Sequence, residues 1–173
     1  MGDPEPVLVL LSGLPGAGKT TFAKALCRSK QWRHIESDAV RAALFPRREY
    51  TSAENARVFG DVERKARKAL EAGEHAVVDA TNLTQADRKR FLRLADRLDA
   101  RVIAVRLTVP ARTSLERLAK PRHGFAEGDR VVFEQMEPRA RPFRLASIVI
   151  DTRFPIAAAV ALVRRLAENG EDE

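Results

Sequence analysis

Five apolar residues, Val7, Leu8, Val9, Leu10 and Leu11, end in Ser12 and run straight into Gly13-Leu-Pro-Gly-Ala-Gly-Lys-Thr20. No other stretch constrains the fold of this chain as strongly. An uncharged run of this length reads as a strand buried on both faces, which requires a parallel sheet covered by helices on each side. The octet that follows fits G-x-x-x-x-G-K-[ST] at every fixed position. Gly13, Gly16 and Gly18 let the backbone wrap closely, so that successive amide N–H groups face one concavity. A helix starting at Lys19 adds the positive potential of its N-terminus. The combination is a cradle for phosphate. Pro15, Ala17 and Thr21 complete the expected contacts to a nucleoside triphosphate. Lys19 is expected to reach the β- and γ-phosphates, and the Thr20 hydroxyl to ligate Mg²⁺.

The chain has 173 residues, 45% of them apolar and 32% charged, which suits one ordinary globular domain spanning 1–173. The formal charge of +7 permits a polyanionic partner without requiring one. A single cysteine, Cys27, excludes an internal disulfide framework and any multi-cysteine metal site. No uninterrupted apolar run reaches the length of a membrane span. The opening residues lack the basic region and apolar stretch of a signal peptide. The expected location is the cytoplasm, with no membrane partner.

Short apolar runs alternate with longer amphipathic stretches, the pattern of a doubly wound α/β domain. After the glycine turn, a helix is expected from about Lys19 to Ser29, with Phe22 and Leu26 on one face. Strands follow at 34–36, 75–79, 101–107 and 147–150. Thr51 and Glu54 have the T-x-x-E form of a capping box opening a long helix, which Gly73 closes. Thr84 caps the next helix, whose Phe91, Ala95 and Leu98 face inward. A helix over 111–119, a polar loop over 120–130 and a short helix ending near Pro138 form a small lid, about 111–138. Pro155 starts the last helix.

The motifs beyond the phosphate loop narrow the chemistry. The Asn-Lys-x-Asp guanine reader and the Asp-x-x-Gly switch of translational-type GTPases are both missing from the sequence. Instead, Ser37-Asp38-Ala-Val-Arg41 follows the second strand, at the carboxyl edge where doubly wound sheets bind ligands. There Asp38 can cap a helix and also accept the proton of an attacking hydroxyl. Arg41 shares its helical face and suits an anionic group on the acceptor. Asp79-Ala-Thr81-Asn82 ends the third strand on the same edge. Asp79 can bind Mg²⁺ through water or hold Thr20 or Lys19, while Thr81 and Asn82 suit contacts to the transferred phosphoryl group or the acceptor. Arg117 and Arg122 are candidates to stabilise charge on the γ-phosphoryl oxygens from a closing lid. His34 and His123 show no partner pattern and read as structural.

Taken together, the glycine loop, Ser-Asp-x-x-Arg, Val-Val-Asp-Ala-Thr-Asn and the lid arginines resemble the polynucleotide 5′-kinase group of P-loop phosphotransferases, in particular the kinase module of bacterial RNA end-healing enzymes. The resemblance covers about residues 6–151. It implies a five-stranded parallel sheet in order 2-3-1-4-5 and an ATP- and Mg²⁺-dependent kinase acting on a 5′-hydroxyl of RNA or DNA. It makes Lys19 and Thr20 ligands of ATP and Mg²⁺, Asp38 the general base, Arg41 the contact to the phosphate beside the acceptor hydroxyl, and Arg117 and Arg122 contacts to the ATP phosphates. Relatives with the same motifs phosphorylate small molecules such as antibiotics, nucleotide sugars and gluconate, so a small-molecule hydroxyl kinase stands as the alternative. A nucleotide-binding module that regulates a partner is the non-enzymatic reading.

Overall fold

The computed structural model describes residues 5–120 and 129–169. Its five strands are β1 (Val7–Ser12), β2 (Trp32–Glu36), β3 (His75–Asp79), β4 (Arg101–Thr108) and β5 (Ser147–Asp151). All pairings are parallel and the order is β2-β3-β1-β4-β5, as expected. The central β1 has all six residues buried, which is what an uncharged run between two parallel neighbours requires. The helices are α1 (Lys19–Leu26), α2 (Ser37–Leu44), α3 (Ser52–Glu71), α4 (Gln85–Arg97), α5 (Ala111–Leu118), α6 (Asp129–Met136) and α7 (Ala157–Glu168), with a 3-10 turn at Glu137–Arg139.

Two cores sandwich the sheet. On one face Val7, Val9 and Leu11 pack with Phe22 of α1 and Val163 of α7. On the other, Leu8 and Leu10 pack with Val62 of α3 and Phe91 of α4. Each such side chain, fully buried, stabilises the fold by about 1.5–3 kcal/mol. Among the described residues no helix is long and apolar enough to cross a membrane.

Departures from the sequence expectations are local. β2 starts at Trp32, two residues early, because its ring packs on His75 with centroids 4.4 Å apart. α1 stops at Leu26 because Cys27 leaves helical geometry (φ −87°, ψ 28°). α7 starts at Ala157, with Ile156 rather than Pro155 at its N-terminal boundary. The reciprocal capping box at α3 is only half formed. Thr51 accepts from the Glu54 N–H, but the Glu54 carboxylate turns away to accept from the amides of Glu49 (2.8 Å) and Tyr50 (2.9 Å). A full box forms at α4, between Thr84 and Asp87.

Candidate active site

The loop between β1 and α1 adopts the cradle that its glycines permit. Gly16 (φ 80°) and Gly18 (φ 93°) take left-handed conformations that L side chains rarely adopt. A Cβ on Gly16 would lie 2.8 Å from the Ser114 carbonyl oxygen, and one on Gly13 2.7 Å from that of Leu107. The loop is therefore fixed by its own dihedrals and by close backbone approach from α5 and β4. Gly16→Ala is expected to cost roughly 1–3 kcal/mol in stability and to weaken ATP binding. Thermal unfolding and an ATP titration check it, and an unchanged Kd would contradict the cradle. Lys19 donates from Nζ to the Leu14 carbonyl at 3.1 Å, across the loop's concavity. Pro15, Gly16, Gly18, Lys19, Thr20 and Thr21 all line one cleft of about 1280 Å³. Gly13 and Ala17, named from the motif as nucleotide contacts, are buried at the base of the loop instead. The Gly13 N–H donates to the Thr81 carbonyl at 3.0 Å, and Ala17 packs into the core.

Thr20, one residue into α1, points at the end of β3. Its hydroxyl donates to Asp79 Oδ2 at 2.8 Å and approaches Glu36 Oε1 at 3.5 Å. Asp79 is 3% exposed and also meets His34 Nε2 at 2.9 Å. Of the uses that the sequence left open for Asp79, the structure shows the one of holding Thr20, and Asp79 also lines the cleft. β-strand alternation puts His34 and Glu36 on one face of β2, and the register pairs Glu36 with Asp79. The sequence reading missed both residues and took His34 as structural. Burial, and then the adjacent Asp79 carboxylate, push the Glu36 carboxyl above its ordinary value, while His34 and Lys24 oppose the shift. Oxygen donors from Thr20, Glu36 and Asp79 are the set that Mg²⁺ prefers, so these residues fit that ion.

In the same cleft, Asp38 lies exposed in the first turn of α2, and the start of this helix carries no side-chain cap bond. The expected capping role for Asp38 is thus absent, leaving its carboxylate facing the cleft that Lys19 and Thr20 line. Arg41 also reaches the cleft, but it is 6% exposed and already engaged. Its guanidinium donates to Glu54 Oε1 and to Asn55 Oδ1, both at 2.6 Å, and it lies 4.7 Å from the centre of the Tyr50 ring. Burial raises the Glu54 pKa, but the Arg41 guanidinium with the Glu49 and Tyr50 amides outweighs it and holds the carboxyl below its ordinary value. The charge of Arg41 is therefore matched inside the fold.

The remaining candidates divide. Thr81 lines the cleft. Asn82 does not: at φ 43° and 1% exposed, it turns inward and its amide donates to the Leu11 carbonyl at 2.8 Å. The expectation that it touches substrate is corrected, because its side chain is used to tie β1 to β3. Arg117 lines the cleft but braces the loop, donating to the Gly16 carbonyl (3.2 Å) and to the hydroxyl (2.8 Å) and carbonyl (2.9 Å) of Thr152. Arg122 lies outside the described residues.

No curated protein matches the chain in sequence. Solved structures that resemble it include a candidate kinase from Chloroflexus aurantiacus J-10-fl, with TM-score 0.78 and 21% identity, covering 98% of this chain and 100% of that one. The APS kinase CysC of Mycobacterium tuberculosis, solved with AMPPNP and APS, gives TM-score 0.75 at 16% identity, covering 96% and 99%. A chain of the Pnkp1/Rnl/Hen1 RNA repair complex gives TM-score 0.60 at 20% identity, covering 81% of this chain and 48% of that one. At these identities the likeness is one of fold, that of the P-loop kinases. A family model described as an AAA domain, AAA_33, matches residues 8–143, well over half the chain, and the chain belongs to that family.

Proposed function

We propose that this protein is an ATP-dependent phosphotransferase with a hydroxyl group as acceptor. The observation that carries the reading is the pairing of a phosphate cradle with an exposed carboxylate in one cleft, which Lys19, Thr20 and Asp38 all line. At about 1280 Å³ the cleft exceeds the ~300–1,000 Å³ of an ordinary single-ligand site, which leaves room for donor and acceptor together.

In this account the cradle amides and Lys19 hold the triphosphate and offset its charge. Thr20 and Asp79, with Glu36 beside them, are the residues that would hold Mg²⁺. When bound, the ion supplies further positive charge to the phosphate oxygens. Asp38 accepts the proton of the acceptor hydroxyl as its oxygen forms a bond to the γ-phosphorus. The bond from that phosphorus to the β–γ bridging oxygen breaks, and ADP leaves with the electron pair. Arg117 positions the cradle by bracing Gly16. From the described parts of the expected lid, α5 and α6, Leu118, Val132, Gln135 and Met136 also line the cleft.

Two acceptor classes fit the motifs. Transfer to a 5′-hydroxyl of RNA or DNA is supported by the Ser37-Asp38-x-x-Arg41 pattern and by the fold likeness to the Pnkp1-containing complex. Transfer to a small hydroxyl compound is favoured by a specific observation: the motif cation Arg41 is nearly buried and already paired with Glu54 at 2.6 Å. A polyanion needs such charges to be available. We therefore take the small hydroxyl acceptor as the leading assignment.

Asp38→Asn keeps the size of the side chain and removes the proton acceptor. The expected result is a fall in kcat of roughly 10²-fold with the ATP Kd unchanged. If ATP binding collapses while turnover per bound ATP survives, Asp38 is a nucleotide ligand and the acceptor-side assignment fails.

A further inference from the structure

We propose that His34, Glu36 and Asp79 form a binding site for a first-row divalent transition metal, one that fills without nucleotide and prefers Mn²⁺ to Mg²⁺. The sheet assembles the donors. His34 and Glu36 stand two residues apart on β2 and so share a face, and the β2–β3 register places Asp79 beside Glu36. One ligand atom from each of the three lies within 4.8 Å of the others. Two donors about 2.1 Å from a common cation can stand no more than about 4.2 Å apart, so side-chain rotations have to draw the three atoms inward onto one ion.

The electrostatics call for a cation. Two carboxylates are held together on a partly buried face, and the His34 ring meets Asp79, Nε2 to Oδ2, at 2.9 Å. Lys24 of α1 and Asp38 of α2 are the other charged side chains whose fields reach Glu36, with opposite signs. A divalent ion among the three donors relieves the repulsion between Glu36 and Asp79 directly.

The donor chemistry sets the preference. Mg²⁺ takes oxygen ligands almost exclusively, and the imidazole has nothing to offer it. Imidazole together with carboxylate suits Mn²⁺ and the later divalent metals. The site adjoins the cradle, since Thr20 bonds Asp79 at 2.8 Å, yet it requires no phosphate ligand. It shares Glu36 and Asp79 with the residues that would hold Mg²⁺ during transfer and adds His34. Because it is read by metal binding without nucleotide, its failure is distinguishable from failure of the phosphotransfer reading.

The test uses the full chain, stripped of metal with chelator and free of nucleotide, titrated with MnCl₂ and followed by the EPR signal of free Mn²⁺. The expected result is one bound Mn²⁺ per chain, resistant to an equal concentration of MgCl₂. Pulsed EPR of the bound ion should show coupling to an imidazole nitrogen. His34→Ala and Glu36→Gln should each weaken binding by at least ~10-fold, and His34→Ala should abolish the nitrogen coupling. His34→Gln, which retains a hydrogen-bonding group beside Asp79, serves as the second variant should His34→Ala unfold by circular dichroism. Absence of bound Mn²⁺ in folded wild type, a bound ion without nitrogen coupling, or affinity unchanged in the folded His34 variant would each overturn the proposal.

Discussion

Replacing Lys19 by methionine is expected to reduce phosphoryl transfer by roughly 10³-fold, because it removes a fixed positive charge from the place where phosphate charge is handled. The fold should be little affected. Lys19 begins α1 and is partly exposed, and the hydrogen bond from its Nζ to the Leu14 carbonyl spans a loop already held by Gly16 and Gly18. A change in unfolding free energy within about 0.5 kcal/mol is anticipated, the range of surface substitutions. Steady-state transfer measured beside thermal unfolding separates the two effects. A folded Lys19→Met variant turning over at the wild-type rate would remove the basis for reading the loop as catalytic.

The largest stability effect is expected at a residue with no part in the chemistry. Arg88 of α4 is 0% exposed, and its guanidinium is a hub. It donates to the carbonyls of Asn82 (2.7 Å), Leu83 (3.1 Å), Arg141 (2.5 Å) and Pro142 (2.7 Å) and to the Ser12 hydroxyl (3.2 Å), and it lies 4.0 Å from the centre of the Phe143 ring. Burial lowers its pKa from the ordinary value, with Asp87 opposing. Methionine fills much of the volume but leaves several buried carbonyls without donors, each costing about 1–3 kcal/mol. Arg88→Met should therefore lose roughly 3–5 kcal/mol, a drop in Tm on the order of 10 °C. Lysine should recover less than half of this, since one ammonium cannot reach acceptors arranged around a planar fork. Chemical denaturation measures it. A loss under about 1 kcal/mol would mean that the 141–143 segment is held to β1 and β3 by other contacts.

The parts of this molecule legible in its sequence are those written locally. The glycine cradle reads directly because left-handed dihedrals at Gly16 and Gly18 demand that residue type wherever the chain goes next. The strands read because an uncharged run such as Val7–Leu11 has one stable environment. A bond from Thr20 to Asp79 was one of the uses legible for that carboxylate, since both ends of the pairing lie at recognisable motif positions. What could not be read depends on register and long-range packing. His34 and Glu36 alternate onto one face, but that this face meets Asp79 follows from β2 pairing with β3. Arg88 sits three residues before Phe91 on the inward side of α4, yet its acceptors come from 12, 82–83 and 141–142, which no local pattern links. Glu54 fits a capping box by spacing, and it is drawn away because Arg41 and two loop amides offer more hydrogen bonds than the helix start does. Asn82 looked exposed at a strand end, and its positive φ turned it inward.

The central claim is transfer of the γ-phosphoryl group to a hydroxyl acceptor, and γ-labelled ATP with a divalent metal tests it over a panel of small hydroxyl metabolites and 5′-OH oligonucleotides. The account predicts metal-dependent label on a small hydroxyl compound, absent with Lys19→Met and reduced roughly 10²-fold with Asp38→Asn. Label on the oligonucleotides alone would reverse the acceptor assignment while keeping the transfer chemistry. Label released only as inorganic phosphate, at a rate indifferent to Asp38→Asn, would contradict the account.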